Sequence, residues 1–445
     1  MKLSRYLKVF PSPDRPGHFI LYSTLRGSVA SVPLEKLSAL QDGTFPEAEC
    51  AALARIGIVV QDPDLEKEQL RGLITRANGE ARHFKISVVL NLDCNLDCGY
   101  CFEGEFRCGH YMSEATADLL VQALIRERIA QGWDVTISFY GGEPLLSQDL
   151  IRRISEPLRA AAQSHGVTYA FNLVTNGTLL DRNTALQLLP LGLLGAKFTL
   201  DGPREIHDVQ RPYASGAGSF DIIVDNLVQV CDLISIQLGA NFRPENYREF
   251  PRLLDQLPRY GITPDKLAVV MFTPVVSAGG CSDVNSGCAL SEEPWLMEAV
   301  PFLREATLAR GYRAPTLKPS ACIVELKDNL VVDCTGRFYK CPAFMGTQEL
   351  SVGSLSEGLK DYRASHGIGN WQVDTCLECS YLPLCFGGCR FVMKLQGKAL
   401  TEVDCRRKFY DATLEKTVLQ NLTYLSSRKK VVTQGIASQP AAPSY

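Results

Sequence analysis

Three cysteines stand close together in residues 91–102, which read NLDCNLDCGYCF. Cys94, Cys98 and Cys101 form a C-x3-C-x2-C pattern directly after the apolar run at 86–90. Three thiolates on one loop can hold three corners of a cubane iron–sulfur cluster, which leaves one iron open for a non-protein ligand. Cysteines at two- and four-residue spacings also occur in zinc fingers. The loop alone therefore indicates a metal centre and leaves iron and zinc both open.

The remaining cysteines are unevenly placed along the chain. Eight of the 16 lie between Cys322 and Cys405. In a long chain without export signals, such a group is more typical of metal ligands or catalytic groups than of disulfides. Cys50 and Cys231 lie inside apolar helical patterns, where cysteine usually serves as a small core residue.

Alternating strands and helices must position the first cysteine loop. Apolar and β-branched runs predict strands at 84–90, 135–140, 168–174, 196–200, 235–240 and 267–273, and periodic segments predict helices at 113–131, 149–164, 182–189, 220–231 and 248–260. Six such units indicate a parallel sheet with helices on its faces, whose active site lies at the carboxyl ends of the strands.

Each conspicuous motif comes directly after one of these predicted strands. Gly141-Gly142-Glu143-Pro144 follows the second strand, Thr175-Asn176-Gly177 the third, and Asp201-Gly202-Pro203 the fourth, with His207, Asp208 and Arg211 close behind. Adjacent glycines let a backbone approach a ligand closely, and Glu143 offers a carboxylate to an amine. Any one of these motifs is an ordinary turn as readily as a site, but four successive strand ends favour one shared pocket.

Together these motifs resemble the radical S-adenosylmethionine (SAM) superfamily over roughly residues 84–280. The resemblance implies a partial (β/α)6 barrel and a 4Fe–4S cluster on Cys94, Cys98 and Cys101, whose open iron is chelated by the amine and carboxylate of SAM. It also implies that Tyr100 lies by the cluster and the adenine of SAM. By the same resemblance, Gly142 and Glu143 contact the methionyl amine, and Thr199, Asp201 and Arg211 lie on the ribose and carboxylate side. The implied reaction is reductive cleavage of SAM to a 5′-deoxyadenosyl radical that abstracts a substrate hydrogen.

The distal cysteines resemble a second domain, the SPASM domain of peptide-modifying superfamily members. Seven cysteines and Gly336 follow its order, and a zinc ribbon is the alternative. The resemblance implies two auxiliary 4Fe–4S clusters. Cluster one would take Cys322, Cys341 and Cys389, and cluster two would take Cys376, Cys379, Cys385 and Cys405.

Cluster one has no obvious fourth ligand in this resemblance. Cys334 is the local candidate, and Cys281 and Cys288 lie in a Gly/Ser-rich loop at 277–289. If none of them binds, the open iron is available to a substrate thiolate. In sulfatase maturases, an aspartate base directly follows the second cysteine of this domain, but Pro342 follows Cys341 here. The departure argues against the sulfatase-maturase reaction.

The expected organisation has five parts. They are an N-terminal winged-helix-like α+β module at 1–80 that resembles leader-peptide-binding modules, the radical SAM barrel at 81–280, a linker with a bridging helix at 281–320, the SPASM domain at 321–425 and a disordered tail at 426–445. In the first part, two strands around Arg26-Gly27 precede helices at 34–40 and 47–56, and a polar helix at 64–77 reads as a linker. A structural cap on the barrel is the alternative for this module.

Composition excludes several classes of protein. A net charge of −3 gives no electrostatic case for nucleic acid or anionic membrane, and no apolar run reaches the length of a membrane helix. The expected protein is a cytoplasmic maturase of a ribosomally made peptide, closest to the geopeptide type. Its partners would be a small precursor peptide with a leader and an electron donor such as flavodoxin or ferredoxin. The expected product is a thioether or other side-chain cross-link. The alternatives are carbon–carbon cross-linking, epimerisation with Cys108, Cys281 or Cys288 as hydrogen donor, or a structural zinc protein.

Overall fold

The N-terminal module combines short strands and helices. The computed structural model describes residues 1–79, 82–101, 109–275 and 293–432. The elements of the module are β1 (Lys2–Leu3), β2 (Leu7–Pro11), β3 (His18–Ser23), β4 (Val29–Pro33), α1 (Leu34–Gln41), α2 (Glu47–Arg55), β5 (Val59–Val60) and α3 (Leu65–Gly79). Strands β2, β3 and β4 form an antiparallel sheet in sequence order, and β1 pairs with β5.

A parallel sheet with alternating helices forms the centre of the molecule. Its elements are β6 (His83–Asn91), α4 (Glu114–Glu127), β7 (Asp134–Gly141), α5 (Gln148–His165), β8 (Tyr169–Val174), α6 (Arg182–Leu188), β9 (Leu193–Thr199), α7 (Arg204–Gln210), α8 (Phe220–Val230), β10 (Ser235–Phe242), α9 (Phe250–Gln256), β11 (Val269–Pro274) and α10 (Pro294–Ala309). Strands β6 to β11 are parallel and lie in sequence order. The predicted α/β fold with a large parallel sheet is therefore confirmed.

The two faces of this sheet have different chemistry because side chains alternate along each strand. One face carries apolar residues such as Ile86, Val88 and Phe139, which join the main hydrophobic core with the flanking helices. The opposite, inner face carries half-buried polar residues, including Asn172, Lys197 and Asn241. The inner face is therefore suited to a polar ligand.

The C-terminal part extends the central sheet on its β6 side. Its elements are β12 (Asn329–Val332), β13 (Arg337–Tyr339), β14 (Gly353–Ser354), β15 (Gly358–Leu359), α11 (Asp374–Leu377), α12 (Leu382–Cys385), α13 (Arg390–Leu395) and α14 (Arg407–Val432). Strand β12 pairs in parallel with β6, although more than 200 residues separate them, and β13 to β15 continue as an antiparallel meander. This pairing places the distal cysteines beside the strand that leads into the first cysteine loop.

The N-terminal module packs against the C-terminal part. Tyr6 and Leu70 share a buried cluster with Trp371, and Tyr6 donates a hydrogen bond to the carbonyl oxygen of Leu377. Leu70 belongs to α3, the helix that its polar composition predicts to be a linker. Its burial shows that α3 is a packed element instead. No helix in the described ranges combines the length and apolar character needed to cross a bilayer.

Candidate functional site

The first cysteine loop follows β6 and turns back on itself. The backbone N–H of Cys101 donates to the carbonyl oxygen of Cys98 at 3.1 Å, and the side-chain amide of Asn176 lies 3.5 Å from the Cys94 sulfur. Burial raises the pKa of Cys98 to about 11, opposed by Arg211 and reinforced by Asp201, Cys101 and Cys94. The three thiols thus lie close enough to influence one another.

The GGEP loop lies directly against the cysteine loop. The N–H of Gly142 donates to the carbonyl oxygen of Asn91 at 3.1 Å, and the N–H of Glu143 donates to that of Asp93 at 2.8 Å. A Cβ on Gly142 would stand 2.1 Å from the Asp93 oxygen, a distance that real Cβ atoms do not show. The glycine therefore allows two strand-end loops to touch through their backbones.

Glu143 is fully buried and accepts hydrogen bonds from three neighbours. Its donors are the N–H groups of Leu145 and Asn176, at 3.0 and 2.8 Å, and the Thr175 hydroxyl at 2.9 Å. Burial raises the pKa of Glu143 to about 7, although these hydrogen bonds and Arg211 lower it. A cationic amine placed beside this carboxylate would gain a strong, oriented partner.

A second polar network surrounds the Tyr100 hydroxyl. Arg211 and Asn241 donate to it at 2.6 and 2.9 Å, and the hydroxyl donates to the Asp201 carboxylate. The N–H of Asn241 also donates to Asp201 at 2.6 Å. Burial raises the pKa of Asp201, opposed first by Arg211. The network fixes Tyr100 between the cysteine loop and the ends of β9 and β10.

Two neighbours complete this region. Thr199 lies at the end of β9 and pairs with Gly239 of β10. A Cβ added to Gly239 would stand 3.5 Å from the Thr199 hydroxyl oxygen. The buried imidazole of His207 accepts a hydrogen bond from the N–H of Asp201 at 3.1 Å. Burial, with help from Arg211, lowers the pKa of His207 to about 3. A neutral His207 therefore supports the Asp201 backbone rather than acting as an acid.

The SPASM resemblance implies two groups of distal cysteines, and their division between two clusters stays a prediction. In the first group, Cys322, Cys341 and Cys389 pack in one cluster with Val89 of β6 and Tyr140 of β7. Burial raises the pKa of Cys341 to about 12, and Cys322 and Cys389 raise it further. Because Val89 and Tyr140 lie on the inner face, this group packs against the inner side of the two strands that lead into the cysteine loop and the GGEP loop.

Cys376 and Cys379 of the second group pack in buried clusters shared with the N-terminal module. Burial raises the pKa of Cys376, and Cys379 and Cys405 raise it further; burial likewise raises that of Cys385 to about 12, with further contributions from Cys379 and Cys376. Cys376 thus interacts with Cys379, Cys385 and Cys405. Cys379 also packs against the cluster that joins β2 and β3 to α14.

Cys334 does not join either group. It is buried in the main core with Val332 and Phe338. Burial raises its pKa to about 11, with a further contribution from Asp333. Cys334 thus packs in the main hydrophobic core, whereas Cys322, Cys341 and Cys389 pack in a different cluster, and its role as a ligand of cluster one stays a prediction. Cys108, Cys281 and Cys288 lie outside the described residues.

A comparison with protein families identifies the central part of the chain. Residues 88–257 match the family model described as "Radical SAM superfamily". The match begins in β6, includes the cysteine loop and the networks around Glu143 and Tyr100, and ends after α9. These residues form a radical SAM domain.

Curated relatives share parts of the chain. The "Fe-coproporphyrin III synthase" of Methanosarcina barkeri is 31% identical over 217 residues, which are 48% of this chain and 49% of the relative. The "Serine-type anaerobic sulfatase-maturating enzyme" of Klebsiella pneumoniae is 23% identical over 330 residues, which are 66% of this chain and 78% of the relative. The chain spans about half the length of the first curated relatives that it matches.

Two solved structures share the fold. Native anSMEcpe with bound AdoMet has a TM-score of 0.60 at 16% identity and covers 78% of this chain and 100% of its own. The crystal structure of Streptococcus suis SuiB bound to precursor peptide SuiA has a TM-score of 0.53 at 14% identity and covers 91% and 98%. The SuiB likeness extends beyond the radical SAM domain, over most of this chain.

The cofactors of a radical SAM domain are SAM and a 4Fe–4S cluster, and the residues present suit them. Three mutually interacting thiols supply an incomplete cubane set, while Glu143 suits the methionyl amine. Within the described ranges, no three Cys, His, Asp or Glu side chains surround a position for a single metal ion. The fit to the cluster therefore rests on the chemistry of the donors.

Sequence reasoning missed two inner-face residues of the radical SAM domain. Asn241 is the amide that joins Tyr100 to Asp201, and it lies near the end of β10 without any motif. Lys197 lies two residues before Thr199 on the same face, and its Cε would stand 2.6 Å from a Cβ on Gly239. Burial lowers the pKa of Lys197, although Asp201 raises it. The alternation of polar residues in β9 was the only local signal for Lys197.

Proposed function

We propose that this chain is a radical SAM maturase that modifies a ribosomally made peptide. The observation that carries the proposal is the position of the first group of distal cysteines. Cys322, Cys341 and Cys389 pack on Val89 and Tyr140, from the two strands that also carry the first cysteine loop and the GGEP loop. A substrate residue at the inner face of these strands would therefore lie beside both proposed cluster sites.

The residues of the radical SAM domain have separate tasks in this proposal. Bound SAM and its cluster supply a 5′-deoxyadenosyl radical that removes one hydrogen atom from the substrate. Cys94, Cys98 and Cys101 hold the cluster and leave one iron open. Glu143 binds the methionyl amine of SAM, and the Tyr100–Asp201–Arg211 network, with Thr199, orients its remaining groups. Fixed, buried donors of this kind hold a cosubstrate in one geometry.

Cross-link formation is the outcome that the distal cysteines favour. Thioether formation removes two hydrogens, so after the first abstraction a proton and an electron must still leave the substrate. Auxiliary clusters on the two cysteine groups would accept that electron, and a flavodoxin or ferredoxin would supply the electron for SAM cleavage. Within the described residues, cluster one has three cysteines, so a substrate thiolate is the proposed fourth ligand. Pro342 after Cys341 leaves the sulfatase-maturase base position without a carboxylate.

We assign the outer parts of the chain accordingly. Residues 321–425 would form the SPASM domain, 281–320 the linker with its bridging helix, and 426–445 a tail, whose first residues continue α14 to Val432. Residues 1–80 would bind the leader of the precursor peptide. Their sheet presents β2 and β4 as edge strands within the described residues, and an edge strand can pair with an extended peptide.

Anaerobic reconstitution of the full chain tests the core of this proposal. We expect about twelve irons per chain, from three cubanes, and release of 5′-deoxyadenosine after addition of SAM and a reductant. Cys98→Ala should abolish that release. Cys231→Ala, which changes a buried core cysteine, is the matched control and should retain it. Zinc in place of iron, or full activity in Cys98→Ala, would contradict the proposal.

Co-expression with a small neighbouring open reading frame tests the reaction type. A cross-linked peptide should lose the mass of two hydrogens, whereas epimerisation leaves the mass unchanged. Alkylation of free thiols distinguishes a thioether from a carbon–carbon bond, because only the thioether consumes a cysteine. Binding of a labelled leader to the full chain, measured by fluorescence anisotropy, tests the role of residues 1–80. Equal affinity for a core peptide without its leader would refute that role.

A further inference from the structure

A short turn connects the two auxiliary cysteine groups. Cys385 belongs to the second group and Cys389 to the first, and only three residues separate them. All three, Phe386, Gly387 and Gly388, have positive φ angles of 41°, 79° and 75°. Four residue steps span at most about 14 Å even when fully extended, and this turn is not extended. Clusters bound on its two ends would therefore be close together.

One buried carboxylate shapes this turn. Asp404 is 4% exposed, and its carboxylate accepts a hydrogen bond from the N–H of Cys389 at 2.9 Å. Its own N–H donates to the carbonyl oxygen of Gly387 at 3.0 Å. A Cβ on Gly388 would stand 2.2 Å from the Asp404 carbonyl oxygen. The left-handed turn and the Asp404 segment therefore fit each other through direct backbone contact.

An arginine pairs with the same carboxylate. The Nε of Arg406 donates to the Asp404 carboxylate at 3.0 Å, and its carbonyl oxygen accepts from the N–H of Tyr410 at 3.1 Å. The Tyr410 hydroxyl donates to the carbonyl oxygen of Leu384, the residue before Cys385, at 2.7 Å. Arg406 is thus tied to both ends of the turn, through Asp404 to Cys389 and through Tyr410 to the Cys385 side.

Arg406 is connected to one cysteine of each group. It directly follows Cys405 of the second group in the chain. It also pairs with the carboxylate that accepts the N–H of Cys389, which belongs to the first group.

We infer that the Asp404–Arg406 pair is a positioning element shared by both auxiliary sites, in which Asp404 holds the fixed positive charge of Arg406 beside the turn that joins the two cysteine groups. The inference rests on the proposed function, because it requires clusters on both cysteine groups. A nearby positive charge favours the more negative, reduced form of a cluster and so raises its reduction potential. Because the pair is partly buried, salt screens this charge less than a surface charge. The two auxiliary potentials are therefore set together.

Neighbouring arginines supply a matched comparison. Arg407 is exposed, and its side chain hydrogen-bonds to Cys379 of the second group and also interacts with Cys405. Arg406→Gln should lower the midpoint potentials of both auxiliary clusters. Arg407→Gln should lower only that of cluster two. Arg406→Lys, which keeps the charge, should leave both potentials near their original values.

The measurement is an anaerobic redox titration of the reconstituted full chain, monitored by electron paramagnetic resonance. SAM and peptide are left out, and the iron content of each variant is measured. Unchanged potentials in Arg406→Gln at full iron content, or a shift in only one cluster, would overturn the inference. If Arg406→Gln binds less iron, Asp404→Asn decides. It removes a negative charge but keeps an acceptor for Cys389, so the cluster-one potential should rise, and no rise refutes the inference.

The two proposals fail in different ways. A parent chain that takes up no iron at the distal cysteines would refute the proposed function. A chain that takes up about twelve irons and cleaves SAM, but whose potentials do not respond to Arg406, would refute only the shared positioning element.

Discussion

The contact between the GGEP loop and the cysteine loop predicts a severe effect for Gly142→Ala. The added Cβ would stand 2.1 Å from the Asp93 carbonyl oxygen, 2.5 Å from its carbonyl carbon and 2.8 Å from the Leu92 oxygen. All three atoms belong to the backbone, so no side-chain rotation relieves the overlap. Asp93 directly precedes Cys94, and the first cluster ligand must therefore move with it.

Overpacking of this kind costs about 1–3 kcal/mol and occasionally more. If this overlap destabilises the conformation that binds SAM by about 2 kcal/mol, SAM affinity falls roughly 30-fold. Gly99→Ala is the matched control. Gly99 lies in the cysteine loop that Gly142 contacts, between Cys98 and Tyr100. No heavy atom stands within 4 Å of a Cβ added to Gly99. We expect this control to bind SAM with nearly unchanged affinity.

The assay is anaerobic equilibrium binding of SAM to reconstituted protein, with iron content and the thermal unfolding of the cluster-free chain measured in parallel. Gly142→Ala should weaken SAM binding and also lower the unfolding temperature, because the overlap exists without any ligand. Wild-type affinity and stability in Gly142→Ala would refute the argument. An equal loss in Gly99→Ala would show that any change in the loop is harmful, and would refute the steric reason.

Three further predictions concern buried polar groups. SAM binding should weaken as the pH falls through about 7, because Glu143 must be ionised to pair with an amine and burial raises its pKa to about 7. Glu143→Gln should bind SAM weakly at every pH. A wild-type affinity that does not change between about pH 6 and 8 would contradict this prediction. Asn241→Leu should cost about 1–3 kcal/mol of SAM affinity by isothermal calorimetry, because it removes the amide beside Tyr100; unchanged affinity would contradict it. Arg390→Met should cost about 3–5 kcal/mol of unfolding free energy by denaturant titration, since it leaves buried Glu325 without its cation; unchanged stability would exclude this role.

Much of the barrel could be predicted because its signals are local. Alternating strand and helix patterns located strands β6 to β11, with bounds that differ by a few residues; β9, for example, begins at Leu193 rather than 196. Helix α9 ends at Gln256, earlier than predicted, because a short 3-10 helix containing Pro258 follows it. The short strands β1 and β2 were not predicted, since neither carries a strong strand pattern.

The candidate site divides in the same way. Cysteine spacing and strand-end motifs are properties of short segments, so the sequence by itself selected the candidate thiols and drew attention to Glu143 and Tyr100, while the cluster memberships stay predictions. Asn241 carries no motif, and its role depends on the register between β9 and β10. The same limit applies to Cys334, whose place near Gly336 suggested a ligand, although its side chain lies in the main core.

Only the tertiary structure decided how the cysteine groups relate to one another. The parallel pairing of β12 with β6 brings Cys322 and Cys341 to the inner face beside Val89, and no local pattern encodes a contact across more than 200 residues. The hydrogen bond from the N–H of Cys389 to Asp404 was also not predictable from a local pattern. It depends on the turn before Cys389, in which three successive residues have positive φ angles. Cysteine spacing, read through the SPASM resemblance, predicts which thiols act together, although the two distal groups interleave along the chain. Their distances from the radical SAM site and from each other followed from long-range packing.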